Sequence, residues 1–330
     1  MSWLRAHRTL VAFVVGLPVS AVFLWLAVRN TDPSSVRRSL EDARAGHLAL
    51  ALVAMLAVYG FQAARWRTIA TKRVTLSRFY GMVVSGVACN NVLPGRVGDL
   101  LRARWLGREA QMPAGRALGT VVLDRGCDVA ALFAFLALGL FAVASADWLI
   151  RIALGTALGL VVLVAVLVFA RQYTSRRSRE RRHRGLVRRV LRDAMEVLAE
   201  PLGRRRPAAW VALSLAGWGT WALAAILVAR SIGIELDVHE ALFVAAVMNL
   251  GVAIPSSPGF VGTYQWLGVA SLGLLGVADD EALAFSILLH ASWYVPTTLI
   301  GGLLLAVRAL RARQPRASAD AAANERLEDA

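Results

Sequence analysis

Long apolar runs alternate with short polar stretches along the chain, and six of these runs are long enough to cross a membrane. A helix needs about 20 mostly apolar residues to span the hydrocarbon core of a bilayer. The pattern predicts spans at about Thr9–Val28, Leu48–Ala64, Ala117–Ser145, Trp148–Ala170, Trp210–Val228 and Glu281–Val307. The first run is longer than the apolar core of a signal peptide and lacks a clean cleavage site, so we expect it to remain as a span.

Two further apolar stretches are too short to cross a bilayer. Phe79–Leu93 ends at Pro94, and His239–Ile254 ends at Pro255. Each is followed by a glycine-rich turn and a second apolar segment. The pattern therefore predicts two broken, re-entrant hairpins, each of which enters and leaves the membrane on one side.

Composition supports a membrane protein and excludes several other classes. The chain has 330 residues, of which 57% are hydrophobic and 18% charged, whereas soluble domains are about half apolar and a quarter charged. Its mean hydropathy is +0.56. These values exclude a disordered chain, a soluble enzyme and a nucleic-acid-binding module. Cys89 and Cys127 lie in apolar stretches and form no metal or redox motif. The predicted fold class is an all-α, polytopic membrane helix bundle.

Positive charge predicts the topology, because arginine and lysine are enriched in cytoplasmic loops. The net charge is +15, and thirteen arginines lie between Arg171 and Arg206. The basic segments are the N-terminus with Arg5 and Arg8, the segment Arg65–Arg78, a loop over residues 171–208, and the tail with Arg308, Arg311, Arg313 and Arg316. We expect all four to be cytoplasmic, in a cell-membrane protein with both termini inside. Residues 1–310 then form one membrane domain, and residues 311–330 a disordered tail.

This topology places the remaining connections on the outer side. They are Asn30–His47, Ala146–Asp147 and Ser231–Asp237. The first hairpin would then open to the cytoplasm and the second to the outside. The two hairpins are predicted to have opposite orientations, as the two halves of an inverted repeat do.

The turns of the two hairpins repeat one sequence pattern. Pro94-Gly95-Arg96-Val97-Gly98 recurs as Pro258-Gly259-Phe260-Val261-Gly262. Proline ends a half-helix, and glycine permits turns that leave backbone N–H groups free to face an anion. Paired broken helices in inverted halves are typical of a transporter binding site near the bilayer midplane. The alternative interpretation is that small residues here only let helices pack closely.

Charged residues accompany the first turn and the third long apolar run. They are Arg96, Asp99, Arg102, Asp124, Arg125 and Asp128. Ionisable groups in a span are costly and normally line a cavity or pair with one another, which makes them functional candidates. Two alternatives remain open. Arg102 and Arg104 would snorkel to the interface, and Asp124 would only be a partner for Arg125.

These residues together resemble a known family. The motifs are Asn91-x-x-Pro94-Gly95-Arg96-x-Gly98-Asp99-x-x-Arg102, Asp124-Arg125-x-x-Asp128 and Ile254-Pro255-Ser256-Ser257-Pro258-Gly259-x-x-Gly262-Thr263. They resemble the membrane region of lysylphosphatidylglycerol synthases, the flippase-like UPF0104 family, over about residues 8 to 310. The resemblance implies a bundle that moves modified phospholipids between leaflets. The soluble aminoacyl-transferase domain of the fused synthases is not expected in this chain.

The candidate substrate-binding residues follow from the turns, the charges and the resemblance. They are Asn91, Pro94, Gly95, Arg96, Gly98, Asp99, Arg102, Asp124, Arg125, Asp128, Pro258, Gly259, Gly262, Gln265 and His290. The family usually has glutamate where Asp99 and Asp124 stand, and commonly glutamate where Gln265 stands. It commonly has a Tyr-Arg pair where Leu289 and His290 stand.

The function predicted from the sequence is a lipid translocase. Arg96 and Arg125, with backbone N–H groups at Gly95 and Gly98, would hold the phosphate of a lipid head group. The expected partners are membrane lipids, either anionic phospholipids or polyprenyl-linked lipids, with no nucleic acid, cofactor or metal. One alternative is a membrane-embedded transferase for a lipid-linked substrate, with Asp99 or Asp124 as base. Another is an accessory scaffold for a lipid-modifying enzyme.

The topology is tested by labelling single cysteines from outside intact cells, in a background without Cys89 and Cys127. An impermeant thiol reagent should label cysteines in Ser231–Asp237 and leave those in the Arg171–Arg206 loop unlabelled until the cells are opened. Labelling of that basic loop from outside would reject the inverted arrangement of the hairpins.

Overall fold

The described part of the chain is helical. A computed structural model describes residues 8–93, 96–140, 193, 197, 205–254 and 256–328. It contains no β-strand within those residues, so the all-α prediction is confirmed there. The helices are α1 (Arg8–Val28), α2 (Pro33–Glu41), α3 (Ala45–Ala70), α4 (Leu76–Val92), α5 (Val97–Glu109), α6 (Ala114–Gly139), α7 (Arg205–Ser231), α8 (Val238–Gly251), α9 (Thr263–Gly273) and α10 (Asp279–Glu328), with a 3₁₀ turn at Pro258–Phe260.

Three of the described helices are long and apolar enough to cross a membrane. These are α3, the Arg206–Ser231 part of α7, and the Asp279–Leu310 part of α10. They contain three of the predicted spans. The predicted span Ala117–Ser145 coincides with α6 as far as the structure describes it, but α6 carries buried charges. The span Trp148–Ala170 and most of the basic loop 171–208 lie outside the described residues, so the number of spans stays a prediction.

Helices α3 and α7 pack side by side as an antiparallel pair. The backbone N–H of Arg44, just before α3, donates to the carbonyl of Ser231 at the end of α7 (2.9 Å). Small residues such as Ala51, Ala224 and Ala225 are fully buried between the helices. Small residues at a helix interface let the two backbones approach closely, which is how membrane helices gain packing energy.

Helices α4 and α5 form the first hairpin. Its two ends meet at an ion pair between Arg78 Nη1 and Glu109 Oε2 (3.7 Å). Near the turn, Gly98 lies against the carbonyl oxygen of Gly86, where a Cβ atom would overlap that oxygen. Arg96 is in the left-handed conformation (φ 54°) that starts α5.

Helices α8 and α9 form the second hairpin. A capping box between Asp237 and Glu240 starts α8. The turn contains three residues with positive φ, namely Gly259 (76°), Phe260 (60°) and Gly262 (87°). Two of them are glycines, which adopt this conformation without a Cβ clash. Both short apolar stretches therefore end at turns where the sequence predicts them.

Helix α1 covers the turn of the second hairpin. Ser20 Oγ accepts a hydrogen bond from the backbone N–H of Ser257 (2.8 Å). Gly16 lies so close to the carbonyl of Ser256 that a Cβ atom would come within 2.7 Å of its oxygen. The rings of Phe23 and Trp266 stack at 4.7 Å.

Helix α2 packs against the start of α10. Asp32 caps α2, and hydrogen bonds from the Ser34 side chain and backbone lower the pKa of the Asp32 carboxyl. The backbone N–H of Asp32 donates to Asp280 Oδ1 (2.7 Å). Helix α10 then continues to Glu328, whereas the sequence analysis expected disorder over 311–330. The many alanines of this stretch have the highest helix propensity of any residue.

Gly98→Ala should lower the thermal stability of the purified protein. The added methyl group meets the backbone oxygen of Gly86, which cannot rotate away, and overpacking of this kind costs about 1–3 kcal/mol. The matched control is Gly60→Ala, because a Cβ atom at Gly60 meets nothing within 4 Å. That control should leave the melting temperature unchanged or raise it, since alanine favours helix over glycine. Equal melting temperatures for both variants would contradict the close approach of α4 and α5.

Candidate functional site

Within the part of the chain that the structure describes, six charged side chains meet inside the bundle and form an ion network. They are Arg65 of α3, Asp99 and Arg102 of α5, and Asp124, Arg125 and Asp128 of α6. Three arginines face three aspartates, so the formal charges of the network cancel. Five of these six residues are among the candidates from the sequence analysis, and the structure brings those five together.

Asp124 is the most buried member of the ion network. Its side chain is fully inaccessible, and it accepts hydrogen bonds from Arg65 Nε (2.8 Å) and Arg102 Nη2 (3.1 Å). Arg125 Nη2 lies 3.9 Å away. The interpretation of Asp124 as a mere partner for Arg125 is therefore wrong. Arg102 is 1% exposed, so it does not snorkel to the interface either.

Asp128 connects α6 to helices α3 and α7. Its Oδ1 accepts from Arg65 Nη2 (2.8 Å) and from the indole of Trp218 (3.1 Å), and its Oδ2 accepts from Arg125 Nη1 (3.0 Å). Arg65 Nη1 in turn donates to Ser214 Oγ (2.9 Å). One buried guanidinium thus binds two carboxylates and a hydroxyl on two other helices.

Sequence reasoning missed Arg65 as a site residue because it begins the basic segment Arg65–Arg78. The helical spacing of α3 was the available signal, because it places Arg65 on a buried face of that helix. Val58 and Gln62 lie seven and three residues before Arg65 on the same face of α3, and both are buried. Ser214 and Trp218 were also missed, although their i, i+4 spacing places them one turn apart on α7.

Aromatic and glycine residues fix the position of Arg102. Its guanidinium carbon lies 4.3 Å from the ring centre of Trp66, a cation–π contact. Trp66 is held by a hydrogen bond from its indole to Thr120 Oγ1 (3.1 Å). Gly86 leaves room for the aliphatic stem of Arg102, since a Cβ atom there would come within 2.7 Å of it.

One edge of the ion network is accessible. The Arg125 side chain is 35% exposed and the Asp99 side chain 20%, whereas the other members are almost fully buried. Arg125 Nε has no hydrogen-bond partner, and Asp99 Oδ1 lies 3.5 Å from it. Arginine has five N–H donors, so Arg125 retains donors for an incoming oxygen acceptor.

A second, uncharged group of polar residues surrounds the turn of the second hairpin. Gln265 Oε1 accepts from the backbone N–H of Gly262 (2.7 Å), and Gln265 Nε2 lies 3.0 Å from His290 Nδ1. The His290 ring stacks against Tyr264 at 4.5 Å. Gly259 lies against Tyr294, whose ring a Cβ atom would approach to 2.8 Å.

The two hairpin turns contact each other. Arg96 is exposed, lies outside the ion network, and donates from Nη2 to the carbonyl of Val252 (3.0 Å), just before the second turn. Asn91 donates to Thr297 and Thr298 of α10 (3.2 and 2.8 Å). Helix α4 also packs against the 3₁₀ turn that starts at Pro258.

Most of the described candidate residues thus fall into two groups, and Arg96 lies outside the ion network and bonds to the Val252 carbonyl. Gly98 supports the first turn from within, because its N–H donates to Asn90 Oδ1 (2.7 Å). Pro94 and Gly95 lie outside the described residues. Among the residues that the structure describes, no three His, Cys, Asp or Glu side chains are grouped so as to hold a metal ion.

Comparison with known proteins identifies the family. The model of the lysylphosphatidylglycerol synthase TM region matches residues 11–301. The chain therefore belongs to this family of membrane proteins, whose name refers to the membrane part of a lipid-modifying enzyme. The family resemblance found in the turn motifs is confirmed.

Three relatives are similar to the chain. Over 88% of its length it is 26% identical to the glycosyltransferase AglD of Haloferax volcanii, but it spans only 53% of that protein. It is 21% identical to a UPF0104 membrane protein of Methanothermobacter thermautotrophicus, over 85% of the chain and 90% of the relative. A UPF0104 membrane protein of Methanocaldococcus jannaschii is 20% identical over 65% of the chain and 92% of its own length.

Arg65→Gln should destabilise the protein strongly. The change leaves Asp124 and Asp128 without their shared cation, and breaking a buried ion pair from one side costs about 3–5 kcal/mol. Adding Asp128→Asn should recover part of the loss, because one uncompensated charge is then removed. Arg37→Gln, which breaks an exposed pair with Glu41, is the control and should change stability by less than about 1 kcal/mol. Similar melting temperatures for Arg65→Gln and Arg37→Gln would contradict the structural role of the ion network.

Proposed function

We propose that the chain is a lipid translocase of the flippase type. In this proposal the polar or anionic head group of a lipid crosses the bilayer between the two broken hairpins while its acyl chains stay in the hydrocarbon. The observation that carries it is the contact of the two turns through Arg96 and Val252, beside an ion network with one accessible edge.

The arrangement of the hairpins supports transport. The first hairpin starts and ends at the end of the bundle where Arg78, Glu109 and Arg308 meet. The second starts at Asp237, close in sequence to Ser231 at the opposite end. If the basic end is cytoplasmic, the hairpins re-enter the membrane from opposite sides. Paired broken helices of this kind form the substrate sites of many transporters, because irregular backbone inside a membrane survives only beside a cavity or within protein.

Arg125 is the residue proposed to bind the lipid phosphate. Its side chain is 35% exposed, and its planar fork matches two phosphate oxygens at once. Because Asp128 is also held by Arg65 and Trp218, Arg125 can leave it without creating an unpaired buried charge. Asp99 would orient Arg125 or contact a cationic part of the head group.

Arg96 takes a different role from the one expected at the sequence level. Its guanidinium donates to the Val252 carbonyl and is not a member of the ion network, so we propose that it holds the two turns together. On the far side, Gln265 and His290 would provide neutral hydrogen-bonding groups for the head group. The lipid is an anionic phospholipid or a polyprenyl-linked lipid in this proposal.

One observation favours a second candidate, a transferase for lipid-linked substrates. AglD, similar over 88% of this chain, is named as a glycosyltransferase, although the chain spans about half of it. Asp99 would be the base, because both oxygens of Asp124 already bind arginines. Lipid analysis of separated leaflets distinguishes the two functions. A changed distribution at constant composition supports translocation, whereas a missing lipid species supports transfer.

Arg125→Lys should slow lipid translocation almost as much as Arg125→Ala. Lysine keeps the charge but lacks the fork, and a hydrogen bond to a charged group contributes about 1.5–3 kcal/mol, or about tenfold or more in rate. The assay follows a fluorescent anionic lipid in reconstituted vesicles by its accessibility to an impermeant quencher. The exposed Arg230→Ala is the control and should transport normally.

A doubly neutral variant separates phosphate binding from ion pairing. Arg125→Gln with Asp128→Asn removes both members of the closest pair that Arg125 makes. If Arg125 binds phosphate, this variant should translocate lipid as slowly as Arg125→Ala. A monodisperse elution profile is the control for correct folding. Near-normal transport would reject the phosphate role and leave Arg125 a structural partner of Asp128.

A further inference from the structure

A second candidate lipid site lies at the surface, away from the ion network. A groove of about 420 Å³ runs between the end of α5 and α10. Its lining residues are Trp105, Arg108, Glu109, Leu305, Arg308 and Ala309. The proposed translocation path between the hairpins uses none of them.

The groove carries an excess of positive charge. Arg308 Nη2 lies 3.6 Å from Glu109 Oε1, and Arg78 Nη1 lies 3.7 Å from Glu109 Oε2. Both distances exceed those of good hydrogen bonds, so the carboxylate binds its two arginines loosely. Arg108 is exposed at the rim. Three arginines thus face one glutamate, and the arginines keep most of their donors for another anion.

The walls of the same groove are apolar. The Trp105 ring lies beneath Arg308, 4.9 Å from its guanidinium carbon, and Leu305 and Ala309 continue the surface along α10. Beyond the groove, α10 exposes Leu303 and Leu310, with 66% and 62% of their surface accessible. A soluble anion would gain nothing from this apolar surface. A molecule with an anionic head and an acyl chain would use both parts.

We propose that the groove binds an anionic phospholipid from the leaflet at the basic end of the bundle. Its phosphate would lie between Arg108 and Arg308, and its acyl chain would follow α10 past Leu305. Tryptophan and arginine at the level of the head groups are typical of such an interface.

Lipid bound in the groove would then enter the translocation path between the hairpins. This part of the inference rests on the proposed function. Helix α5 carries both Arg108 at the groove and Arg102 in the ion network. Six residues of helix correspond to about 9 Å, less than the depth of one leaflet. A head group released from the groove therefore has a short distance to travel to the accessible edge at Arg125.

The test measures binding of phosphatidylglycerol to the purified protein by native mass spectrometry. The double substitution Arg108→Gln with Arg308→Gln, the groove variant, should weaken binding of the most tightly bound phosphatidylglycerol molecule by about 25-fold, because each basic residue near an anionic lipid surface contributes about a fivefold change. The matched control is Arg37→Gln with Arg230→Gln, which removes two charges at the other end of the bundle and should change binding less than twofold. Phosphatidylcholine should bind weakly and equally to all three proteins.

Three outcomes would overturn the site. The first is equal binding by wild type and the groove variant, and the second is an equal loss in the control. The third is displacement of the lipid by an equal concentration of inorganic phosphate, which would show that the apolar walls contribute nothing. Arg308→Lys, which keeps the charge, should bind more tightly than the groove variant and checks that loss of binding is not misfolding.

Transport measured on the same variants separates this inference from the proposed function. Arg125→Ala should keep the groove lipid while transport fails. If the groove variant loses the lipid but transports at the wild-type rate, the loading role is wrong and the translocase stands. If the groove binds lipid and no protein transports, the binding site stands and the proposed function fails.

Discussion

The burial of Asp124 constrains the rest of the structure. An inaccessible carboxylate in a membrane protein is tolerable only when cations bind it directly, and Arg65 and Arg102 do so from two different helices. Those arginines require further partners of their own. Arg65 also binds Asp128 and Ser214, and Arg102 lies over the ring of Trp66. Helices α3, α5, α6 and α7 are thereby fixed relative to one another.

The two hairpin turns are held by a different kind of interaction. The backbone N–H groups of Gly98, Ser257 and Gly262 donate to side-chain oxygens of Asn90, Ser20 and Gln265. Irregular backbone in an apolar environment requires such partners, because an unsatisfied N–H group costs several kcal/mol there. The second turn is bonded to α1 through Ser257 and packs against α10 through Gly259.

The length of the apolar runs was sufficient to place the three helices that can cross a membrane, and the paired Pro-Gly motifs located both turns. Helix α2 and the helical end of α10 were not predicted. Asp99, Asp124 and Asp128 were recognisable as site residues because a charge inside an apolar run demands a partner. The identity of the partner was not recognisable. Arg65 lies 59 residues before Asp124, and only tertiary packing shows that it belongs to the interior rather than to the basic segment that it begins. The pairing of Gln265 with His290 depends in the same way on how α9 packs against α10.

The contact between α1 and the second turn has a consequence for biosynthesis. Ser20 is made 237 residues before its partner Ser257, and chains are synthesised and begin to fold from the N-terminus. Helix α1 can therefore complete its contacts through Gly16 and Ser20 only after the chain has been made beyond Ser257. Its docking is then among the last steps of assembly, so a nascent chain that stops before the second hairpin presents α1 to the membrane-protein quality-control machinery as an unpartnered helix.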